Sequence, residues 1–202
     1  MIKLKTLEVD GIGPAIHAMR NPFNSWGKSD THQGKVGEKD RELSERLSNA
    51  GTEHCKHLRM CLVWVEIWAP LFWWKEFDTY RTGVEKLSCS TMHTITKKPF
   101  DRSMFTDEVN QLLIDWLEKQ RKSFLSTESK DAKEYYWRKI IENLPSGFIQ
   151  RRTVMMSYAA LRQICKQREG HKLTEWHDFI RWAASLPEGW MITESPAERG
   201  GE

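Results

Sequence analysis

Apolar residues along this chain recur at two spacings, and the switches between them outline its elements. Ile2 and Leu4, then Leu7 and Val9, give a broken alternation that predicts an edge or outer strand. Gly11, Gly13 and Pro14 mark a turn, and residues 15–20 read as a short helix started by that proline. Residues 21–37 are rich in Gly, Asn, Ser, Asp and His and predict a long loop, either functional or a surface excursion. Leu43 and Leu47 lie four apart among charged residues, which predicts a helix over Glu38–Asn49 that stops at Ala50-Gly51. Val63, Val65 and Ile67 share one parity, while Leu62, Trp64, Glu66 and Trp68 share the other. That pattern predicts a strand with one face in the core and the other at an interface. Pro70 is placed to open a helix carrying Leu71, Trp74 and Phe77, and Gly83 to break it.

The second half of the chain carries the helical period more strongly. After Thr106, Asp107 and Glu108 a helix of roughly twenty residues is expected, with Val109, Leu112, Leu113, Trp116 and Leu117 as its buried stripe. Residues 131–143 form the next, with Tyr135, Tyr136, Ile140 and Ile141 as its contacts, and Leu144-Pro145-Ser146-Gly147 ends it. A polar connector, 123–130, joins the two. After Gln150-Arg151-Arg152-Thr153 a helix is expected through Arg168, with Val154, Ser157, Tyr158, Leu161, Ile164 and Cys165 on one face. Thr174 caps a last helix bearing Trp176, Phe179, Ile180 and Trp182. Residues 1–194 read as one domain and 195–202 as a flexible polar tail.

Composition changes this picture in three places. The chain has 202 residues, 39% hydrophobic and 29% charged, an ordinary soluble balance, but its ten tryptophans favour an oligomer. A net charge of +3 is too weak to argue for a stable nucleic-acid complex, yet it leaves room for a local phosphate pocket. Cys55, Cys61, Cys89 and Cys165 form no CxxC pair, and no secretory segment precedes them, so free thiols and a cytoplasmic location are expected. No apolar run is long enough to span a membrane.

Candidate chemistry gathers in residues 69–93, APLFWWKEFDTYRTGVEKLSCSTMH. Phe72, Trp73, Trp74 and Phe77 are interleaved with Lys75, Glu76, Asp78, Tyr80 and Arg81, a mixture that suits a pocket or subunit-interface wall, or else an amphipathic helix with a wet charged face. Ser88, Cys89, Ser90 and Thr91 lead to His93 and can hydrogen-bond a phosphate or base, or cap their own backbone. His54 and His57 stand three apart, at the spacing of a polar pocket edge or a structural pair, and no third residue makes a metal centre with them. Arg168 closes the apolar stripe of its helix, where its fork can grip an oxyanion or complement the helix dipole. Arg151 and Arg152 suit solvent or ion pairs. No repeat, Walker loop or dinucleotide fingerprint is present.

The helix over Glu38–Asn49, the APLFWWKEF approach and the segment LPSGFIQRRTVMMSYAALRQICKQR resemble the flavin-dependent thymidylate synthase family over residues 1–187. The FDTY and STMH signatures are also similar to a divergent bacterial and phage branch. Aligned on the approach, the family's arginine-histidine-arginine motif falls on Thr79, Tyr80 and Arg81, its first serine on Val84, its asparagine-glutamate pair on Lys86 and Leu87, its second serine on Cys89 and its last arginine on Thr91, so Arg81 alone is retained. The family's flavin-contacting asparagine falls on Ser157, a nucleotide-binding arginine on Ala159, and the substrate-binding arginine on Arg168. The resemblance implies an α+β, flavin-dependent thymidylate synthase-like fold with a mixed sheet and long packed helices. It also implies a homotetramer with shared sites, FAD, and C5 methylation of dUMP or a related pyrimidine nucleotide, with reduced nicotinamide and methylene-tetrahydrofolate if the parent reaction is kept. Arg81, Glu76 and Tyr80 are the expected catalytic set. His54, His57, Ser88, Ser90, His93 and Ser157 are the expected flavin contacts, and Arg81, Arg168 and Arg152 the expected substrate contacts. The alternatives are a nucleotide sensor or phage–host interaction protein on the same scaffold, and a purely structural assembly.

Overall fold

A computed structural model describes residues 2–193; the expected tail at 195–202 lies outside the described residues. Four strands, β1 (Lys3–Asp10), β2 (Leu62–Pro70), β3 (Val84–Ser88) and β4 (Ile149–Ser157), form a sheet in the order β1-β2-β4-β3. Backbone bonds fix the direction of three of them. Cys89 donates to the Arg151 carbonyl at 3.0 Å and Ser157 to the Gly83 carbonyl at 3.0 Å, so β3 and β4 run antiparallel. Leu71 donates to Phe148 at 3.0 Å and Tyr158 to Cys61 at 2.9 Å, which does the same for β2 and β4. The sheet is antiparallel throughout, where the resemblance implied a mixed one.

β4 is the chief departure from the sequence pattern, which predicts a helix already from Val154. Val154 and Met156 are buried at a spacing of two and Met155 between them is not, which is strand periodicity. The helical period begins only at Tyr158, where Ser157 accepts a hydrogen bond from the Ala160 amide at 3.2 Å and caps α7 (Tyr158–Arg168). β1 lies at an edge, as its broken alternation predicts. In β2 Val63, Val65, Ile67 and Ala69 are fully buried, and Leu62, Trp64, Glu66 and Trp68 are half-exposed.

The chain falls into two compact units. The first comprises the first residues of the chain, Ile67–Thr79 and Leu87–Arg152. It holds α3 (Leu71–Phe77), α4 (Thr91–Thr94), α5 (Gln111–Ser126) and α6 (Lys130–Glu142). α5 starts at its Asn110 cap, whose side chain accepts from the Leu112 amide at 2.9 Å, and it runs to Ser126, through half of the expected connector. This later start moves the buried stripe to Ile114 and Leu117 and leaves Leu112 75% exposed. Ile114, Leu117, Ile140, Phe100, Phe105 and Phe148 form the core of this unit; Tyr135, an expected contact, is exposed. Pro70 stands just before α3. Trp73, Trp74 and Phe77 are buried, with Trp73 stacked on Phe77 at 4.9 Å between ring centroids. These rings are core rather than the pocket or interface wall their charged neighbours suggested.

The second unit comprises Leu4–Glu66, Tyr80–Lys86 and the chain from Thr153. It holds α1 (Ile12–Ala18), α2 (Glu38–Asn49), α7 and α8 (Thr174–Ala184). α1 starts three residues earlier than Ala15 suggested, with Gly11 at φ 85 before it; a Cβ at Gly11 would sit 2.1 Å from the Met60 carbonyl oxygen. Residues 21–37 are not a loose loop. They contain 3₁₀ turns at Asn21–Phe23 and Trp26–Lys28 and are tied to α2 through Asp40. Asp40 Oδ1 accepts from Arg20 Nε and Nη2 at 2.8 and 2.6 Å. Its Oδ2 accepts from Ser29 Oγ at 2.6 Å, Thr31 Oγ1 at 2.7 Å and the Thr31 amide at 3.1 Å. Asp30 in turn accepts from the Lys39 and Asp40 amides at 3.0 and 3.1 Å, satisfying donors in the first turn of α2.

Candidate functional site

Part of the expected site lies in the first unit, on capped and paired groups. Ser90 Oγ accepts from the His93 amide at 3.3 Å and the Ser90 carbonyl from Thr94 Oγ1 at 2.6 Å, so this hydroxyl-rich segment caps α4. Ser88 and His93 are exposed, and Glu76 is half-buried on α3. Arg152 Nη1 pairs with Asp78 Oδ1 at 2.7 Å, its Nε donates to Gln150 Oε1 at 3.0 Å, and its guanidinium lies 4.2 Å from the centroid of Trp74.

The second unit brings a different set together. Arg168 at the end of α7 donates from Nε to the Tyr80 hydroxyl at 2.8 Å. Its guanidinium carbon also lies 4.6 Å from the ring centroid of Trp176, a cation–π arrangement. Arg81, next to Tyr80, is exposed. Ser157 is buried at the mouth of α7 and contacts Gly83, where a Cβ would approach its Oγ to 2.7 Å. His57 is buried, with Nε2 2.8 Å from Ser44 Oγ, and burial lowers its pKa to about 4, so it stays neutral near pH 7. His54 is exposed beside Glu53, at 3.5 Å, and faces a different environment from His57.

A cleft of about 930 Å³ opens within this unit. Ser157 and Gly83 line it, with Ala159 and Ala160 from the first turn of α7. Leu62, Met155, Ile180 and Ile192 give it apolar walls. Arg59, Arg162 and Lys166 bring positive charge and Glu169 negative charge. Arg162 donates to Asn49 Oδ1 at 2.8 Å and to the Met191 carbonyl at 3.3 Å, which holds its guanidinium in place; Arg59 donates to the Thr52 carbonyl at 2.6 Å. Cys165 also lines the cleft, but burial pushes its thiol up to about 12, so it is no nucleophile near neutral pH. Among the described residues no group of three His, Cys, Asp or Glu is arranged to hold a metal ion.

Arg59, Arg162 and Lys166 are absent from the sequence-derived set. A signal for two of them was present: Ala159, Arg162 and Lys166 recur at three and four residues, on a face beside the apolar stripe of Tyr158, Leu161 and Ile164. Nothing local marks Arg59, which reaches the cleft from the 3₁₀ turn Cys55–Arg59.

This α+β architecture is that of the flavin-dependent thymidylate synthases. Thymidylate synthase X from Helicobacter pylori, solved with FAD and dUMP, matches with a TM-score of 0.74 at 18% identity, over 95% of this chain and 98% of that one. A second structure of the flavin-dependent enzyme from Helicobacter pylori, complexed with FAD and dUMP, matches with a TM-score of 0.74 at 17% identity over the same shares. No protein-family model and no curated protein matches the sequence. Among the described residues no helix is long and apolar enough to cross a membrane.

Proposed function

We propose that this chain is a divergent flavin-dependent nucleotide-modifying enzyme, binding FAD and a pyrimidine nucleotide, with C5 methylation of dUMP or a related pyrimidine nucleotide as its reaction. The observation that carries the reading is the cleft of about 930 Å³, apolar on some walls and cationic on others, on a fold shared with a thymidylate synthase solved with FAD and dUMP. The residues present fit a flavin nucleotide: apolar walls for a flat ring system and arginine and lysine for phosphate. Bound FAD would supply the electron transfer that no side chain here supplies. Ser157 holds the first turn of α7 against the cleft. Tyr80 and Trp176 orient the Arg168 fork toward an anionic nucleotide, and exposed Arg81 adds charge beside Tyr80. Glu76, His54, Ser88, Ser90 and His93 belong to the proposal through their chemistry and place in the sequence, and none of them lines the cleft. A homotetramer that shares sites between subunits, and a requirement for reduced nicotinamide and methylene-tetrahydrofolate, complete it.

Native mass spectrometry after gentle purification, followed by flavin titration and a nucleotide turnover assay, tests this. A tetramer carrying FAD and a methylated pyrimidine product is the expected result. An oligomer that retains no flavin, takes up none and yields no flavin-dependent product overturns it. A non-catalytic nucleotide sensor on the same scaffold is the second reading. It is favoured by Thr79, Tyr80, Lys86 and Leu87, which stand where the resembled family carries its motif arginine and histidine and its asparagine-glutamate pair. Nucleotide binding without turnover selects it.

A further inference from the structure

The expected substrate contacts Arg81, Arg168 and Arg152 are not the cations that line the cleft. Arg162 and Lys166 are, one turn apart on the same face of α7, joined by Arg59 from the turn that precedes β2. The set differs from an ordinary wet helix face in two respects. Arg162 is half-buried and anchored at Asn49 and Met191, so its orientation is fixed before any ligand arrives. The same cleft also has apolar walls from Leu62 and Ile180, so charge and apolar surface occur in one cavity.

We infer that Arg59, Arg162 and Lys166 form a phosphate subsite in this cleft, separate from the Arg81 and Arg168 positions. Three cations and the single carboxylate of Glu169 leave two formal positive charges. One ligand carboxylate leaves that excess unneutralised, whereas a phosphate monoester or a diphosphate bridge carries about two negative charges near pH 7. Arginine forks match the oxygen geometry of phosphate, and a lysine adds a point charge beside them. FAD and a pyrimidine nucleoside monophosphate both offer this chemistry, each joined to a flat ring that suits the apolar walls. The subsite itself stands on the cleft; the choice of these two ligands rests on the flavin–nucleotide reading above.

Paired ligands that differ in phosphate provide the test: FAD against riboflavin, dUMP against deoxyuridine, and inorganic pyrophosphate alone, each followed by calorimetry and thermal shift on the full chain. Arg59→Gln and Lys166→Ala suit the experiment because both side chains are exposed, and Arg138→Ala, on α6 in the other unit, is the control. The expected result is a loss of at least tenfold in affinity for the phosphorylated member of one pair in either variant, with the phosphate-free member and the control within twofold of the parent. The pair that responds identifies the source of the phosphate. If FAD or dUMP binds but its preference over the phosphate-free partner is unchanged in folded variants, the subsite is wrong and the flavin–nucleotide reading stands. If neither binds, yet pyrophosphate stabilises the parent and not the variants, the subsite stands and that reading falls. Absence of any phosphate-dependent binding overturns the subsite.

Discussion

Asp40 shows how much one buried side chain organises. Burial alone would raise its pKa, but hydrogen bonds from Ser29, Thr31 and Arg20, with the charge of Arg20, outweigh that and lower it to about 2 from an ordinary 3.8. A carboxyl depressed on folding stabilises the native state above its unfolded pKa, and that stability, about 2 kcal/mol, is lost as pH falls through 3.8 toward 2. His57 acts earlier on the same acid limb. Its pKa is lowered by burial to about 4 from 6.5, so below pH 6.5 the unfolded chain takes a proton that the folded chain refuses. Stability therefore declines between pH 6.5 and 4, by about 3 kcal/mol in the full span. Urea titrations across pH should show two acid steps. His57→Gln should flatten the upper one and Asp40→Asn the lower, and Asp40→Asn should also cost about 3–5 kcal/mol at pH 7 by leaving buried Arg20 unpaired. A single acid step that His57→Gln leaves intact contradicts this assignment. Little of it was legible in the sequence. Residues 21–37 look like a loop because they carry few apolar residues, and the partner that shapes them lies on the helix beyond.

Periodicity worked where an element is half-buried and misled where two elements join without a turn residue. α2, with Leu43 and Leu47 amid charge, and the alternation of β2 could be read directly. β3 could not, because Glu85, Leu87 and Ser88 are exposed and Val84 is its one buried residue. β4 and α7 merge in the sequence pattern because Val154, Ser157, Tyr158 and Leu161 also satisfy three- and four-residue steps; the strand shows only in the alternate burial of Val154 and Met156. The junction has its own test. Gly83→Ala meets both φ 70 and the 2.7 Å approach to Ser157 Oγ and should cost at least about 1–2 kcal/mol. Ser157→Ala removes the α7 cap, costing about 1 kcal/mol. In the double variant the crowded oxygen is gone, so a denaturation cycle should show less than the sum, by about 0.5–1 kcal/mol. Strict additivity rules out that contact as the reason for glycine.

Over the whole molecule, the sequence resemblance reached the fold because it rests on the order of elements and the APLFWWKEF approach, while the candidate cleft was only partly legible. Ser157, mapped from the family, lines the cleft, and so does Ala159, where the family has an arginine. Arg59 could not be found, since a lone arginine on a short turn looks like any surface charge. Hydrogen exchange should settle the location. FAD or dUMP should protect amides in residues 49–59 and 157–166, leaving α5 and α6 unchanged; protection confined to residues 88–93 would move the site to the first unit. β4 passes into α7 with no intervening loop, so the helix takes its rotational setting from the strand. One residue inserted before Ser157 would turn α7 by about 100° if the sheet held its pairing. Arg162 and Lys166 would swing away from the cleft and the apolar stripe would leave the core. The cleft-facing surface of α7 is thus indexed by the register of a sheet strand, and a length change in β4 would be felt as a change in the lining of the cleft.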